Sequence, residues 1–520
     1  MSVDTNNAAF QDALNLIQYT RQSVFLTGKA GTGKSTFLRY VCEHTKKKHV
    51  VLAPTGIAAI NAGGSTMHSF FKLPFYPLLP DDPNLSLQRG RIHEFFKYTK
   101  PHRKLLEQIE LVIIDEISMV RADLIDAIDR ILRVYSHNLR EPFGGKQLLL
   151  VGDVFQLEPV VKNDEREILN RAYPTPYFFS ARVFSQIDLV SIELQKVYRQ
   201  TDSVFVSVLD HIRTNTAGAA DLQLLNTRYG SHIEESEADM YITLATRRDT
   251  VDSINEKKLA ELAGEPITFE GSIEGDFPES SLPTSQELVL KPGAQIIFIK
   301  NDFDRRWVNG TIGVIAGIDE EEETIYVITD DGKECDVKRE SWRNIRYRYN
   351  EKTKEIEEEV LGSFTQYPIR LAWAITVHKS QGLTFSRVVI DFTGGVFAGG
   401  QAYVALSRCT SLDGIQLKKP INRADIFVRP EIVNFAGRFN DRQAIDKALK
   451  QAQADVQYAA AARAFDKGDM EECLEQFFRA IHSRYDIEKP VPRRLIRRKL
   501  GIINTLQEQN KKLKGQMREQ

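Results

Sequence analysis

The chain has few cysteines and no long apolar run. Its 520 residues include four cysteines, Cys42, Cys335, Cys409 and Cys473, and no two of them form a C-x-x-C pair. This argues against a disulfide framework and against a zinc site. No apolar run approaches the roughly eighteen residues that cross a bilayer, and the opening MSVDTNNAAF is too polar and too acidic for a signal sequence. We therefore expect a soluble, cytoplasmic protein with no membrane partner.

The chain also lacks a net charge that would favour nucleic acid. Its formal charge is −2, from 69 Lys and Arg against 71 Asp and Glu. The imbalance is local, because residues 484–520 hold eleven basic and four acidic side chains and so carry +7, which leaves −9 on the other 483 residues. A DNA-binding hypothesis must therefore rest on particular side chains. With 42% apolar residues, the chain is long enough for several cores.

The stretch VFLTGKAGTGKST, residues 24–36, reads as an apolar strand, a glycine loop and a helix start. GKAGTGKS fits G-x-x-x-x-G-K-[ST], in which backbone N–H groups wrap phosphates, Lys34 reaches the β and γ oxygens and the Ser35 hydroxyl meets Mg²⁺. A decoy loop is the alternative, but the strand and helix on either side favour a phosphate site. We therefore expect ATP and Mg²⁺ as cofactors. The predicted nucleotide-binding residues are Gly28, Ala30, Gly31, Thr32, Gly33, Lys34, Ser35 and Thr36.

Two further buried strands end in polar residues. LVIIDE, residues 111–116, ends in paired acids, and in phosphate-loop ATPases the first such acid holds Mg²⁺ while the second can orient or deprotonate water. We assign these roles to Asp115 and Glu116. QLLLVGDVFQLEPV, residues 147–160, carries Asp153 and Gln156 at its exit. A glutamine there can sense a γ-phosphate, and a loop amide bonded to backbone is the plainer alternative.

The segment PTGIAAINAGGSTMHSFF, residues 54–71, follows the strand HVVLAP. It places Thr55, Thr66, His68 and Phe71 where a loop leaves the sheet, and ligands of open α/β sheets bind at that edge. Packing is the alternative on the residues alone. The proline-rich segment 72–103 then predicts an excursion off the sheet, of a kind that is either functional or disordered.

A second αβ block is predicted from about Leu194. Residues 241–255 read as strand, polar loop and helix, and short alternating strands with NG and DG turns predict a small β-barrel inserted in this block. The block carries Arg199 and Arg408. Two arginines opposite a phosphate site are what a closing two-domain ATPase needs, although a lone exposed arginine is often only solubilising.

Together these motifs resemble those of a superfamily-one DNA helicase, nearest to the petite-integration-frequency (Pif-type) family in a bacterial-like form, over about residues 8–430. The segment from Ser118 to Asp153 is similar to the signature that this family carries between motifs II and III, which favours it over RecD-like enzymes. The helicase motifs I, Ia, II, III, IV, V and VI are matched in order by GKAGTGKST, APTGIAAINAGGSTMHSFF, VIIDEISM, GDVFQLEPV, LQKVYRQ, ITVHKSQGLTF and YVALSRCTSL.

The resemblance implies an α/β fold with two RecA-like P-loop domains, an inserted Src-homology-like barrel and a helical C-terminal tail. The first RecA-like domain would span 1–193, with a wedge or pin-like insertion at 72–103. The second would comprise 194–301 and 364–430, with the barrel at 302–363, and a helical, basic extension would follow at 431–520. Residues 460–480 resemble one tetratricopeptide-like helix pair, for which helical padding is the simpler interpretation.

The resemblance also implies residue roles. Glu116 would be the base and Gln156 the γ-phosphate sensor, and Arg199 and Arg408 would be arginine fingers. Gln11 would read adenine, with Gln18 as the alternative because the spacing departs from the family's Q motif, and Gly382 of motif V would touch the nucleotide. The implied DNA contacts are Thr55, Thr66, His68, Phe71, Thr246, His378 and Lys379.

The implied activity is ATP-driven translocation 5′ to 3′ on single-stranded DNA, with unwinding of duplex or structured DNA. The expected partners are single-stranded DNA and tailed or forked duplexes, with G-quadruplex DNA as a further candidate, and the expected state is a monomer. One alternative is a DNA-stimulated ATPase switch that remodels protein on DNA without strand separation. An RNA helicase is disfavoured, because GDVFQLEPV stands where the S-A-T motif of such enzymes would be.

Overall fold

The computed structural model describes residues 4, 7–87, 90–200, 202–230, 240–304, 306–483, 501, 502, 505, 508 and 509. The chain divides into two compact units, residues 1–17 with 22–441 and residues 18–21 with 442–520. Within the described part no helix is long and apolar enough to cross a bilayer.

The first part of the larger unit is built on a six-stranded parallel sheet in the order β3-β2-β4-β5-β1-β6. Its central strands are apolar runs buried on both faces, as parallel sheets covered by helices require. The strands are β1 Val24–Gly28, β2 His49–Ala53, β3 Ser65–Thr66, β4 Leu111–Ile114, β5 Gln147–Val151 and β6 Val190–Leu194. The helices are α1 Ala8–Tyr19, α2 Lys34–His44, α3 Gly56–Ala62, α4 Met67–Phe71, α5 Arg91–Phe96, α6 Lys100–Gln108, α7 Ala122–Tyr135 and α8 Asn163–Leu169.

The proline-rich segment 72–103 is packed onto this core. Leu78 and Phe96 are fully buried in it, and the backbone N–H of Leu78 donates to Asp123 Oδ2 at 3.1 Å. Two aromatic side chains of the segment point to solvent instead, since Phe75 is 79% and Tyr76 51% exposed. The predicted excursion therefore combines an anchored base with an exposed aromatic tip.

A second parallel sheet, of four strands in the order β18-β7-β19-β20, follows in the same unit. Its strands are β7 Ile242–Ala245, β18 Ala374–Thr376, β19 Val388–Asp391 and β20 Ile415–Leu417. The helices of this part are α9 Ser203–Arg213, α10 Ala219–Asn226, α11 Arg248–Glu261, α12 Gln401–Leu406 and α13 Pro430–Ala436. Two parallel sheets in one chain establish the predicted α/β class.

Between β7 and β18 lie antiparallel strands. Five of them form a sheet in the order β14-β13-β12-β11-β17, three form the sheet β15-β16-β9, and β8 pairs with β10. Their bounds are β8 Ile267–Glu270, β9 Ser272–Gly275, β10 Glu287–Leu290, β11 Gln295–Phe298, β12 Ile312–Asp319, β13 Thr324–Thr329, β14 Glu334–Val337, β15 Glu340–Asn350, β16 Glu355–Gln366 and β17 Ile369–Leu371. Single-turn 3₁₀ helices occur at Pro83–Leu85, Ile117–Met119, Pro142–Gly145, Phe178–Ser180, Arg182–Ser185, Glu279–Ser281 and Arg423–Asp425.

The long hairpin of β15 and β16 reaches the first parallel sheet. Tyr347 and Tyr349 on β15 are buried in the core of that sheet. The backbone N–H of Val51, in β2, donates to the Tyr347 hydroxyl at 3.3 Å. The antiparallel insertion thus packs on the strand that leads into the predicted motif Ia.

In the described part of the smaller unit lie the helices α14 Arg442–Lys467 and α15 Met470–Ser483. The strongly basic segment 484–520 lies outside the described residues except at positions 501, 502, 505, 508 and 509.

Candidate active site

The phosphate loop joins the end of β1 to the start of α2, as predicted. Gly33 is the N-cap of α2 with φ 88°, and Gly31 has φ 79°, a region that favours glycine. A Cβ on Gly31 would lie 2.4 Å from Cβ of Arg199. The glycines therefore provide both the left-handed turn and the space in which Arg199 lies against the loop.

Lys34 opens α2 with its amine folded back over the loop. Its Nζ donates to the carbonyls of Gly28 at 2.7 Å and Lys29 at 3.0 Å. Burial lowers the pKa of Lys34, and the charges of Asp153 and Glu116 oppose that shift. The ammonium group thus lies near Glu116, the predicted base, and near Asp153, to which sequence analysis gave no role.

The paired acids follow β4 directly. The Glu116 backbone N–H donates to Asp115 Oδ1 at 2.9 Å, and Glu116 itself has φ 50°. Burial, and then the charge of Asp115, raises the pKa of Glu116 to about 7. A carboxyl group with a pKa near neutrality can accept a proton from water under physiological conditions, which suits the predicted base.

The residues present fit a Mg²⁺ ion held partly by phosphates. Among the described residues there is no group of three or more His, Cys, Asp or Glu side chains that could hold a metal alone. Asp115 and the Ser35 hydroxyl, in the first turn of α2, are oxygen donors of the kind that Mg²⁺ uses with nucleotide oxygens. Burial raises the pKa of Asp115, and the charge of Lys34 is among the factors that oppose it, so this carboxylate lies near the loop.

The structure brings one predicted arginine finger, Arg199, against the phosphate loop, and the charge of the other, Arg408, acts on Glu116. The Tyr198 backbone N–H donates to the Gly31 carbonyl at 2.9 Å, and Arg199 Nη1 donates to the Ser407 carbonyl at 3.2 Å. Arg408 is buried, with Nε donating to the Val404 carbonyl at 2.9 Å. Burial, and then the charge of Arg199, lowers the pKa of Arg408 to about 9. Arg408 is therefore buried where its charge acts on Glu116, while Arg199 is half-buried against the loop.

Gln156, Gln11 and Gly382 have different surroundings. Gln156 is buried, and its backbone N–H donates to the Asp153 carbonyl at 2.9 Å. Gln11 is half-buried on α1, whose Phe10 packs edge-on against Phe37 of α2 with ring centroids 4.8 Å apart. The carbonyl of Gly382 accepts a hydrogen bond from Arg199 Nη2 at 3.5 Å.

Four of the residues predicted to contact DNA lie at helix N-termini or in a turn, and solvent reaches all four side chains. Thr55 caps α3 by accepting from the Ala58 N–H at 3.2 Å, and Thr66 caps α4 by accepting from the Ser69 N–H at the same distance. Thr55 and Lys379 are exposed, while Thr66 and His378 are half-buried. Burial lowers the pKa of His378 and of Lys379.

Comparison with known proteins agrees with this geometry. Residues 4–217 match the family described as PIF1-like helicase. The ATP-dependent DNA helicase Pif1 of Campylobacter jejuni is 33% identical over 412 residues, which cover 76% of this chain and 88% of that protein. The chain belongs to the Pif1-like helicase family. The predicted Pif-type resemblance is therefore confirmed.

Two solved Pif1 structures from Bacteroides also resemble this chain. The complex with ADP-AlF4 has a TM-score of 0.76 at 41% identity, covering 83% of this chain and 96% of its own. The complex with single-stranded DNA has a TM-score of 0.61 at 40% identity, covering 85% and 99%. The α/β fold with a parallel sheet is thus that of Pif1-like helicases.

Two predicted DNA contacts of this Pif1-like chain are wrong for the observed conformation. Phe71 is fully buried, because it lies on the inner face of α4 and joins the apolar core. Thr246 is 4% exposed, because Gly394 packs over its hydroxyl. Neither side chain can touch a base or a phosphate here. Phe75 is an exposed aromatic near these residues, and its ring stacks on His68 with centroids 4.9 Å apart and an interplanar angle of 15°.

Sequence analysis of this Pif1-like chain missed two residues that join the second block to the nucleotide site. The Ala30 N–H donates to the buried Tyr403 hydroxyl at 2.9 Å. Arg213, the last residue of α9, forms an ion pair with Asp153 at 3.0 Å. Tyr403 belongs to the motif VI segment, which was a usable signal, but nothing local distinguishes Arg213 from other helix-end arginines.

Proposed function

We propose that this chain is an ATP-dependent DNA helicase that moves 5′ to 3′ on single-stranded DNA and separates duplex or structured DNA. The observation that carries the proposal is the position of Arg199 against the phosphate loop, together with the charge that Arg408 exerts on Glu116. Charge supplied there from a second block stabilises phosphoryl transfer only when the two blocks meet. Hydrolysis can then be coupled to their relative movement.

The residues would divide the chemistry among them. Lys34, Arg199 and Arg408 would stabilise negative charge on the transferring phosphoryl group, and Glu116 would take the proton from the attacking water. Mg²⁺, held by Ser35 and Asp115, would neutralise charge on the phosphates. We further assign γ-phosphate sensing to Gln156 and nucleotide contacts to Gln11 and Gly382.

The DNA grip would be formed by side chains around the motif Ia and motif V segments. We assign it to Thr55, Thr66, His68, His378 and Lys379, and we add Phe75. Its exposed ring, already stacked on His68, offers a face to a base, and such stacking is tolerant of sequence. Segment 72–103 is our candidate for the element that splits the duplex, since its tip is aromatic while its base is anchored.

The finer architecture is also a proposal. The two parallel sheets support two RecA-like domains at 1–193 and at 194–301 with 364–430. Three strands of the five-stranded antiparallel sheet, β12, β13 and β14, lie within 302–363 and support a Src-homology-like barrel there, while β11 and β17 of the same sheet lie outside those bounds. The helices α14 and α15 support a helical extension at 431–520. We expect a monomer that takes single-stranded, tailed or forked DNA, with G-quadruplex DNA as a further substrate.

The function is tested by measuring ATP hydrolysis with single-stranded DNA and with RNA of equal length, followed by strand separation. We expect DNA to stimulate hydrolysis and RNA not to do so. Stimulation by DNA without any separation of a 5′-tailed duplex would refute the helicase proposal and favour a switch that remodels protein on DNA.

A further inference from the structure

A buried ion cluster joins α9 of the second block to the loop that carries Gln156. Arg213 Nη2 lies 3.0 Å from Asp153 Oδ1 and 2.9 Å from Glu193 Oε1, and Arg213 Nε donates to Asp153 Oδ2 at 3.2 Å. The side chains of Arg213 and Asp153 are 3% and 0% exposed. A fork of two donors to one carboxylate fixes orientation as well as charge.

The same carboxylate shapes the Gln156 loop. Asp153 Oδ1 accepts from the Phe155 N–H at 3.2 Å, and the Asp153 carbonyl accepts from the Gln156 N–H at 2.9 Å. The Phe155 ring lies under the guanidinium of Arg213, with its centroid 4.4 Å from Cζ. Arg213 therefore contacts both the Asp153 carboxylate and the Phe155 ring, and these two residues shape the backbone that leads to Gln156.

The other side of the loop is closed by backbone. A Cβ on Gly400, the residue before α12, would lie 2.3 Å from the Phe155 carbonyl oxygen and 2.4 Å from that of Gln156. The loop is thus held between Arg213 and Gly400, both of which belong to the second block. Because close-packed atoms have no space in which to yield, a displacement of the second block would move the Gln156 loop with it.

We propose that Arg213 is a positioning residue that, through Asp153, holds Gln156 where it distinguishes ATP from ADP. It links that discrimination to α9 of the second block. The inference rests on the proposed function, in which Gln156 senses the γ-phosphate. In this proposal Arg213 acts through Asp153 and does not itself contact the nucleotide.

The test compares R213Q and R213K with the wild type in nucleotide binding and in DNA-stimulated hydrolysis. The probes are ADP and the non-hydrolysable analogue adenylyl imidodiphosphate. For R213Q we expect the ratio of the ADP Kd to the analogue Kd to fall at least tenfold and kcat to fall at least tenfold, with the ADP Kd within twofold of wild type. R213K should lie between the two, because lysine keeps the charge but not the fork.

A matched control and a double variant separate positioning from general damage. Arg423 is an exposed arginine of the same block whose Nη1 donates to Asn215 Oδ1 at 2.7 Å, and R423Q should leave the ratio unchanged. If Arg213 acts through Asp153, the effects of R213Q and D153N should not add, because each removes the same contact.

An unchanged ratio in folded R213Q, or in R213K if R213Q does not fold, would overturn the inference. Equal loss of ADP and analogue binding would also overturn it, because that pattern indicates a structural role. A wild-type protein that neither hydrolyses ATP nor prefers the analogue would instead refute the proposed function, so the two failures are distinguishable.

Discussion

Gly31 has no room for a side chain beside Arg199. A Cβ added at Gly31 would lie 2.4 Å from the arginine Cβ, which is far below the normal separation of packed carbons. The residue also has φ 79°, which disfavours any L side chain. The position of Arg199 at the site therefore depends on a residue that has no side chain.

Gly31→Ala is expected to lower DNA-stimulated hydrolysis at least tenfold, because Arg199 must move away from the loop. The backbone strain alone should cost about 1–2 kcal/mol in the free energy of unfolding. Gly264→Ala is the matched control, since Gly264 has φ 87° and nothing within 4 Å of an added Cβ. It should show the same loss of stability in denaturant titrations with normal hydrolysis, and equal activity of the two variants would contradict the role given to this contact.

Lys34→Ala is expected to abolish hydrolysis while single-stranded DNA still binds with near wild-type affinity. The amine lies in the phosphate loop, bonded to the Gly28 and Lys29 carbonyls, whereas the proposed DNA grip lies on α3, α4 and the motif V segment. Steady-state hydrolysis and fluorescence anisotropy on the same preparation check this. A parallel loss of DNA binding would mean that the two sites overlap.

Phe75→Ala is expected to weaken binding of single-stranded DNA by roughly 1 kcal/mol or more, about fivefold, because a stacked base would lose its aromatic partner. Anisotropy at fixed salt measures the effect. Phe478→Ala serves as control, because that phenylalanine is also largely exposed, at 56%, but lies on α15. Equal affinities for the Phe75 variant and the wild type would remove Phe75 from the DNA grip.

At the scale of elements, the loop after β5 is tied to the segment before α13. Arg429 Nε donates to Glu158 Oε2 at 2.7 Å, and the Tyr177 hydroxyl donates to the same oxygen at 2.9 Å. Burial alone would raise the pKa of Glu158, but hydrogen bonds and charge from Arg429, with help from Tyr177, outweigh it and hold that pKa below its ordinary value. The tie therefore depends on an ionised carboxylate.

The lowered pKa of Glu158 predicts how the free energy of unfolding depends on pH. A carboxylate whose folded-state pKa is depressed contributes stability above its unfolded pKa, and this is lost as pH falls through the folded pKa. We expect Glu158→Gln to lower the free energy of unfolding at pH 7 by about 1 kcal/mol, with the difference from wild type shrinking as pH falls below about 4. Glu107→Gln, at an exposed pair with Lys104, should change little. A difference that is independent of pH would contradict the ion pair.

The elements that sequence analysis located are those set by local chemistry. Short sequence runs were enough to predict the phosphate loop, the acids after β4 and the Gln156 loop. Each run ends a parallel strand, and the carboxyl ends of these strands meet at one edge of the sheet. Phe71 was misassigned because its helical phase, which turns it inward, is decided by the core it meets. Tyr403 and Tyr347 were missed as partners because their contacts with Ala30 and Val51 span 373 and 296 residues, and no local pattern encodes such pairings.

At the scale of the whole molecule, the nucleotide site is made by both blocks. From the second block, Tyr403 and Arg199 contact the phosphate loop, and the charge of Arg408 acts on Glu116. Lys34, Asp115 and Glu116 come from the first block. A site divided in this way responds to any change in how the blocks meet, and each block carries part of the proposed DNA grip. Motion along a strand is the expected use of that arrangement.

Strand separation on three duplexes, with a 5′ tail, with a 3′ tail and with blunt ends, tests this coupling most directly. With ATP and Mg²⁺ present, we predict that the wild-type protein separates the 5′-tailed duplex and leaves the other two intact, and that Lys34→Ala separates none. Separation of the 3′-tailed duplex alone, or DNA-stimulated hydrolysis with no separation of any duplex, would contradict the proposed coupling of hydrolysis to 5′-to-3′ movement.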